Sequence, residues 1–168
     1  NEGTRRSGSI TVGDKTFQVI QDPAAYTDGF ESGDFSRLPW SVYSEGTPPC
    51  PFSPCPYTEG NWEVTTDFPE AGMYAAKSVN EDSELVYLET TLNSSGGETR
   101  YDFAIGINDN PLGDPTYGIE GFPSYTKLKF YIDDELKTEW STFVNYTSRT
   151  YNVPPGVHTF KWVSEELP

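Results

Sequence analysis

Three carboxylates lie close together in the segment Asp28-Gly29-Phe30-Glu31-Ser32-Gly33-Asp34. Calcium takes about six to eight oxygen ligands from carboxylates and main-chain carbonyls, and a turn-rich acidic segment supplies both. The segment therefore predicts a metal site that uses Asp28, Glu31 and Asp34. A solvated acidic turn without metal is the alternative, and the residues alone leave it open.

The two cysteines, Cys50 and Cys55, lie in a proline-rich stretch over residues 47–57. Such a stretch is neither a helix interior nor a central strand. The spacing differs from the two-residue spacing of redox and zinc motifs, and His158 is the single histidine that could complete a zinc site. These features predict a disulfide that closes a small loop.

Two acceptor patterns for N-glycosylation occur, at Asn93-Ser94-Ser95 and at Asn145-Tyr146-Thr147. Glycans on Asn93 and Asn145 and a disulfide all require an oxidising, secretory compartment. The expected location of the protein is therefore extracellular.

Groups suited to catalysis are few. The acidic clusters at residues 81–84 and 133–135 fall at predicted turns rather than along one strand, whereas glycoside hydrolysis needs two carboxylates about 5–10 Å apart. His158 is predicted to alternate with Phe160 and Trp162 on a sheet face, so it is not expected to serve as a base. We predict no catalytic residues and no enzymatic activity, and a secreted hydrolase is the least favoured function.

Aromatic side chains in loops could bind sugars, because their faces pack on sugar rings while polar groups at the rim bind hydroxyls. The candidates are Tyr57 beside the cysteines, and Tyr117 and Phe122 in the irregular segment 108–124. The alternative is that these rings pack loops onto the sandwich. The four tryptophans lie within strand patterns and are predicted to be core residues; they are Trp40, Trp62, Trp140 and Trp162.

The composition sets the framework that must position these residues. The chain has 168 residues, enough for one domain, and aromatic residues make up 15%. Fifteen glycines and 14 prolines interrupt helical patterns, which favours short strands and turns. The net charge of −15 disfavours nucleic acid and anionic membranes as partners, and no apolar run is long enough for membrane insertion.

Period-two alternation predicts an all-β, two-sheet antiparallel sandwich. Residues 9–12 and 16–20 form a predicted hairpin around Gly13-Asp14, and the strand over 99–107 places Tyr101 and Phe103 on one face. The other predicted strands are 38–43, 62–65, 73–79, 84–92, 125–133, 136–143, 146–153 and 157–163.

Several segments together resemble secreted jelly-roll modules of the MAM-like, laminin-G-like or concanavalin-like type. They are residues 30–40, 61–64, 71–78, 125–133 and 155–162, with Trp140 between the last two, and the resemblance runs from about Phe30 to Glu166.

The resemblance implies a jelly roll with a structural calcium ion, Glu31 as the best-matched ligand and the C-terminal carboxylate Glu166 closing the site. Two positions depart from the family pattern: Thr126 stands where the family often has Asp, and Glu165-Glu166 replaces Lys-Asp. These motifs indicate the fold more than the function.

The predicted organisation is an N-terminal lead-in over residues 1–29, whose hairpin pairs with the sandwich or with a neighbour, followed by a sandwich over 30–168. The predicted function is a non-catalytic extracellular recognition or adhesion module, with carbohydrate among its expected ligands. The alternative is a structural glycoprotein subunit or repeat unit of an extracellular filament, sheath or wall. Expected partners are glycans, extracellular proteins or copies of the chain itself.

Overall fold

The protein is all-β throughout the part that the computed structural model describes, which comprises residues 6–21, 25–45, 60–67, 69–79, 85–106 and 123–166. No helix in these ranges is long and apolar enough to cross a membrane. The strands are β1 (Arg6–Val12), β2 (Lys15–Gln21), β3 (Trp40–Glu45), β4 (Asn61–Thr65), β5 (Ala75–Val79), β6 (Leu85–Ile105), β7 (Pro123–Ile132), β8 (Glu135–Thr142) and β9 (Val144–Glu166).

These strands form three antiparallel sheets. The largest has five strands in the order β3-β6-β9-β7-β8, and β4-β5 and β1-β2 are two-stranded. The β4-β5 sheet packs on one face of the five-stranded sheet through Trp62, whose indole Nε1 donates to the carbonyl of Val86 at 3.3 Å. The two packed layers confirm the predicted sandwich.

The core lies on the face of the five-stranded sheet that β4-β5 covers. Phe130 and Val86 are fully buried, and Trp62 is 8% exposed. Trp40, Trp140 and Trp162 are partly buried against the same core, which confirms the prediction for all four tryptophans. The buried apolar residues form two clusters, centred on Leu88, Phe103 and Leu128 and on Phe130, Val153 and Phe160.

Two pairs of predicted strands are single long strands, which corrects the expected strand count. Segments 84–92 and 99–107 both belong to β6, and segments 146–153 and 157–163 both belong to β9. Ser94 and Ser95 of β6 pair with Gly156 and Pro155 of β9, so the ladder continues through residues typical of turns.

The alternation of buried side chains changes phase at this point. Even-numbered residues of β6, such as Val86 and Leu88, are buried before Gly96, and odd-numbered residues, such as Phe103 and Ile105, are buried after it. Gly96 and Gly97 have φ of 86° and 126°, and a Cβ on Gly96 would lie 3.0 Å from the Pro155 ring. Glycine is therefore required at this irregularity.

The N-terminal hairpin β1-β2 forms as predicted, with Gly13 at φ 64° in its turn. Ile10 pairs with Phe17, so these two residues lie on the same face of the hairpin. Every residue between Ser7 and Ile20 is exposed. The hairpin is therefore paired internally but is not part of the buried core.

Candidate functional site

Two carboxylates of the predicted metal site accept hydrogen bonds from groups close to them in the sequence. The Asp28 carboxylate accepts hydrogen bonds from Phe30 N at 2.7 Å and from Trp40 Nε1 at 2.8 Å. Asp34 accepts from Ser36 N at 3.0 Å and from the Ser36 hydroxyl, and these bonds lower the pKa of Asp34. Both carboxylates thus hold the loop before β3 in place.

The third carboxylate of this segment, Glu31, reaches a different loop. It accepts from Met73 N at 3.0 Å and from Tyr74 N at 3.4 Å, and so ties the segment to the residues before β5. Gly72 has φ 77°, and a Cβ there would lie 2.0 Å from Glu31 Oε1. Only glycine at position 72 leaves room for the Glu31 carboxylate.

The fourth predicted ligand, Glu166, ends β9 and pairs with Thr126 of β7. The structure thus places Glu166 on the sheet, and Asp28, Glu31 and Asp34 on the loop. In the described ranges no group of three or more His, Cys, Asp or Glu is placed to hold a metal ion. The hydrogen bonds that these carboxylates accept hold the loop in place, and calcium binding at this segment stays a prediction.

Other predicted site residues are exposed or fall outside the described ranges. Asn93 on β6 and Asn145 on β9 are exposed, and their glycosylation stays a prediction. The remaining ones lie among residues that the structure does not describe, so the disulfide and the loop-based ligand site also stay predictions; these residues are Cys50, Cys55, Tyr57, Tyr117 and Phe122.

His158 lies on the sheet, as predicted, and ties β9 to the turn between β7 and β8. Its Nδ1 is 2.6 Å from Asp133 Oδ2, and its Nε2 is 3.0 Å from the carbonyl of Pro154. Both partners are acceptors, so the ring donates both bonds only when both nitrogens are protonated. Asp133 and Asp134 are exposed in a turn, which confirms the reading of this acidic cluster as turn charges.

A large cleft of about 940 Å³ is the main candidate for a binding site. Residues from both packed sheets line it, together with residues 25–30 and others from the loop before β5. Its aromatic lining comes from both layers and includes Trp40, Trp62, Tyr74, Tyr101, Phe103, Tyr146, Phe160 and Trp162. A cleft of this size with apolar walls is typical of small-ligand sites.

The rings of the cleft are held rigidly by one another. Tyr101 contacts Phe103 and Trp162 with ring centroids 5.5 Å apart in each case. The hydroxyl of Tyr101 is buried, and burial, with smaller contributions from Tyr151, raises the pKa of Tyr101. The aromatic surface is therefore preorganised, with a polar atom held inside it.

Arg100, Asp102 and Ser148 form a hydrogen-bonded polar group at the cleft, where β6 pairs with β9. Arg100 donates to Asp102 Oδ1 from Nε at 3.1 Å and from Nη2 at 2.9 Å, and to Ser148 Oγ at 2.9 Å. Ser148 also bonds to Asp102, and this bond, with that from Arg100, lowers the pKa of Asp102. The group presents fixed donors and acceptors on the face of β6 opposite to Tyr101 and Phe103.

The loop before β5 contributes an acidic group near this polar cluster. Glu70 lines the cleft and interacts electrostatically with both Arg100 and Tyr146. Burial, with a contribution from Glu70, raises the pKa of Tyr146. Tyr146 is 37% exposed, so its ring is accessible from the cleft. Aromatic and charged groups therefore converge from two parts of the chain.

Sequence reasoning found the buried rings of this site but not its polar group. Tyr101 and Phe103 were predicted on one face of a strand, and both line the cleft. Arg100 and Asp102 alternate with them, so the same pattern places both on the other face of the strand, but their bond to each other and to Ser148 was not predicted. The available signal was that an Arg and an Asp two residues apart on one strand face can bond to each other.

The opposite face of the five-stranded sheet carries a different tyrosine pair. Tyr43 and Tyr87 stack with centroids 4.6 Å apart and an interplanar angle of 7°. The Tyr87 hydroxyl donates to Glu45 at 2.9 Å, and burial together with this bond raises the pKa of Tyr87 to about 12. Neither ring is part of the cleft lining, so this pair provides a comparison within the same sheet.

Comparisons with known proteins support the fold. No family model and no curated protein sequence matches the chain. The structure resembles that of TmCBM61, a carbohydrate-binding module in complex with β-1,4-galactotriose, with a TM-score of 0.52. The two share 18% sequence identity, and the match covers 83% of this chain and 84% of the other.

At this identity the likeness concerns the fold alone. The chain is an all-β protein with the β-sandwich fold of a carbohydrate-binding module, which agrees with the predicted jelly-roll type. The finer resemblance to MAM-like or laminin-G-like domains stays a prediction.

Proposed function

We propose that the protein is a non-catalytic, extracellular glycan-binding module that takes an oligosaccharide into the cleft between its sheets. The observation that carries the proposal is the convergence of exposed and partly buried rings with fixed polar groups in one cleft of about 940 Å³. The fold shared with a carbohydrate-binding module supports the same function.

The chemistry of the cleft suits sugars. Sugar rings present C–H groups that pack on aromatic faces such as that of Tyr146, and hydroxyls that both donate and accept hydrogen bonds. Arg100 supplies donors, and Asp102 and Glu70 supply acceptors. This combination binds a polyol without requiring a charge on the ligand.

The charge of the chain favours a neutral glycan. The net charge of −15 repels acidic ligands over a distance of about a Debye length. Glu70 and Asp102 place negative charge directly on the cleft. Uronic acids and sulfated sugars are therefore expected to bind more weakly than neutral sugars of the same size.

The fold shared with a carbohydrate-binding module supports the non-catalytic part of the proposal, and two exposed acceptor sites support the extracellular part. Asn93 and Asn145 are exposed on strands, where glycosylation enzymes can reach them. An extracellular module that carries glycans and binds glycans accounts for both features.

The test is a screen on an array of neutral and acidic glycans, followed by calorimetry with the best ligand. Tyr146→Ala removes an accessible ring from the cleft, and we expect affinity to fall about tenfold or more. Tyr43→Ala is the matched control, because Tyr43 is 40% exposed on the opposite face of the sheet. Its affinity should stay within about twofold of that of the unmodified protein.

Two results would contradict the proposal. One is a correctly folded protein that binds no neutral glycan on the array at any concentration tested. The other is an equal loss of affinity in Tyr146→Ala and Tyr43→Ala, because the ligand would then not lie in the cleft.

A further inference from the structure

The ion pair between Arg100 and Asp102 leaves one donor and one acceptor unused. Nε and Nη2 of Arg100 both donate to Asp102 Oδ1, at 3.1 and 2.9 Å, and the Ser148 hydroxyl also bonds to this oxygen. Nη2 also donates to Ser148 Oγ at 2.9 Å. Within the part of the chain that the structure describes, Asp102 Oδ2 and Arg100 Nη1 make no hydrogen bond, so both are available to a ligand.

The geometry of the ion pair sets where these two atoms lie. Because Nε and Nη2 of Arg100 both point at Oδ1, Nη1 lies on the far side of the guanidinium carbon from the carboxylate. The unused donor and the unused acceptor are therefore at opposite ends of the pair. Two hydroxyls on adjacent carbons of a sugar ring reach both atoms more readily than one hydroxyl does, because one accepts from Nη1 while the other donates to Oδ2.

An accessible aromatic ring lies near this ion pair. Tyr146 is two residues before Ser148 on β9, and Glu70 interacts electrostatically with both Arg100 and Tyr146. Tyr146 is 37% exposed, and the side chains of Arg100 and Asp102 are 63% and 33% exposed. All four residues other than Ser148 line the cleft, so one sugar can contact the ring and the ion pair together.

We propose that Arg100, Asp102 and Tyr146 form a subsite for a vicinal diol, that is, for two hydroxyls on adjacent carbons of one sugar ring. Arg100 Nη1 donates to one hydroxyl, Asp102 Oδ2 accepts from the other, and the Tyr146 ring packs on C–H groups of the same sugar. The inference rests on the proposed glycan-binding function and adds the ligand class, which is a neutral sugar with two adjacent unsubstituted hydroxyls.

The combination of a cation and an anion selects against other ligands. A carboxylate or sulfate offers acceptors alone, so it cannot donate to Asp102 Oδ2, and both Asp102 and Glu70 repel it. An ammonium group offers donors alone and cannot accept from Arg100. A vicinal diol supplies one group of each kind without adding charge to the cleft.

The empty subsite is already in its binding geometry. Arg100 and Asp102 bond to each other and to Ser148, so ligand binding does not have to order either side chain. Hydrogen bonds to charged groups contribute more than those between neutral groups, so removal of either sugar hydroxyl should weaken binding about tenfold or more.

The experiment measures binding by calorimetry with methyl glycosides of 1,4-linked trisaccharides of glucose, galactose, mannose and xylose, in which every ring has free hydroxyls at C2 and C3. Each trisaccharide is compared with its 2-deoxy and 3-deoxy forms, which lack one hydroxyl of each adjacent pair. We expect at least one unmodified trisaccharide to bind, and each of its deoxy forms to bind about tenfold or more weakly.

Arg100→Lys tests whether Arg100 contacts the diol. Lysine keeps the charge but lacks the planar set of donors, so the affinity for the unmodified trisaccharide should fall about tenfold. In this variant, removal of the hydroxyl that faces Arg100 should cost no more than about twofold, because the contact is already lost and the two changes are not additive.

Arg149→Lys is the matched control. Arg149 is an exposed arginine that follows Ser148 on β9, it is not part of the cleft lining, and its guanidinium carbon lies 5.7 Å from the centroid of the Trp140 ring. This variant should bind the trisaccharide within about twofold of the unmodified protein and should keep the full effect of both deoxy forms. Thermal melting of both variants checks that the sandwich is intact.

The outcomes separate this inference from the proposed function. If Tyr146→Ala weakens binding but both deoxy forms bind as well as the unmodified trisaccharide, glycan binding in the cleft stands and the diol subsite is wrong. Equal effects of Arg100→Lys and Arg149→Lys, or tight binding of a neutral glycan without two adjacent free hydroxyls, also overturn the subsite alone. If no neutral glycan binds at all, both the proposed function and the subsite are overturned.

Discussion

The hairpins β1-β2 and β7-β8 are similar in local structure and opposite in burial. Each has antiparallel strands joined by two residues, Gly13-Asp14 in the first and Asp133-Asp134 in the second. Both turns use positive φ, with 64° at Gly13 and 53° and 64° at the two aspartates. In β7-β8, however, Phe130 is fully buried, whereas Phe17 of β1-β2 is 55% exposed.

The difference comes from the third strand. β7 pairs with β9 on its other side, with Phe130 opposite Trp162, and this pairing carries β7 into the core. Among the described strands, β1 and β2 pair with each other alone. Local alternation and turn residues therefore determine that a hairpin forms, and its neighbours determine whether its apolar face is buried.

The largest expected contrast between the hairpins is in hydrogen exchange. Amides of β7 that bond to β9 should exchange through opening of the whole sandwich, while those of β1-β2 should exchange by local opening. Protection in dilute solution should differ by about a thousandfold or more, measured by exchange with mass spectrometry or NMR. Equal protection would mean that β1-β2 is also held by the sandwich.

A smaller contrast is expected when the central phenylalanine of each hairpin is truncated. Phe130→Ala should lower the free energy of unfolding by about 3–5 kcal/mol, because it leaves a cavity in the core. Phe17→Ala should change it by no more than about 0.5 kcal/mol, because the Phe17 ring is exposed. Urea denaturation measures both, and similar losses would show that the β1-β2 face is covered in the monomer.

The smallest contrast concerns the two turns and depends on pH. Hydrogen bonds from His158 and from Thr159 N lower the pKa of Asp133 below its usual value. A carboxylate whose pKa is lower in the folded state adds stability above its unfolded pKa and loses it as pH falls through the folded pKa. Asp133→Asn should therefore reduce stability near pH 7 and flatten its loss towards acid pH.

The size of this effect is limited by solvent. The Asp133 side chain is 50% exposed, so the loss near pH 7 should be about 1 kcal/mol or less. Asp14→Asn removes the same charge from the turn of β1-β2 and controls for the change in net charge. Urea denaturation between about pH 2 and pH 7 measures both variants. If the stability of Asp133→Asn fell towards acid pH as steeply as that of the unmodified protein, the bond to His158 would not be formed.

Much of the fold could be predicted because its strands alternate clearly. The hairpin at Gly13-Asp14, the burial of Phe103 and Phe130 and the core position of Trp62 all follow from period-two patterns. The unbroken length of β6 and β9 could not be predicted in this way. Gly96-Gly97 and Pro155-Gly156 have the composition of turns, and only the pairing of β6 with β9 on both sides of them shows that the strands continue.

The candidate site was less predictable than the fold for a related reason. Its polar residues become a group only when β6 lies beside β9, which brings Ser148 of one strand to Asp102 of the other. Asp102 and Ser148 are too far apart in the sequence for any local pattern to reveal their contact. The acidic segment was visible from the sequence, but the use of Glu31 to bind Met73 N depends on the approach of a distant loop.

The facing irregularities of β6 and β9 constrain how the length of these strands can vary. Losing one residue at Gly96 would turn Tyr101 and Phe103 towards the other side of the sheet, while their partners on β9 kept their direction. Insertions and deletions at this point are therefore tolerated only when both strands change together. The aromatic lining of the cleft depends on two short glycine-containing segments that are about sixty residues apart in the chain and must vary as a pair.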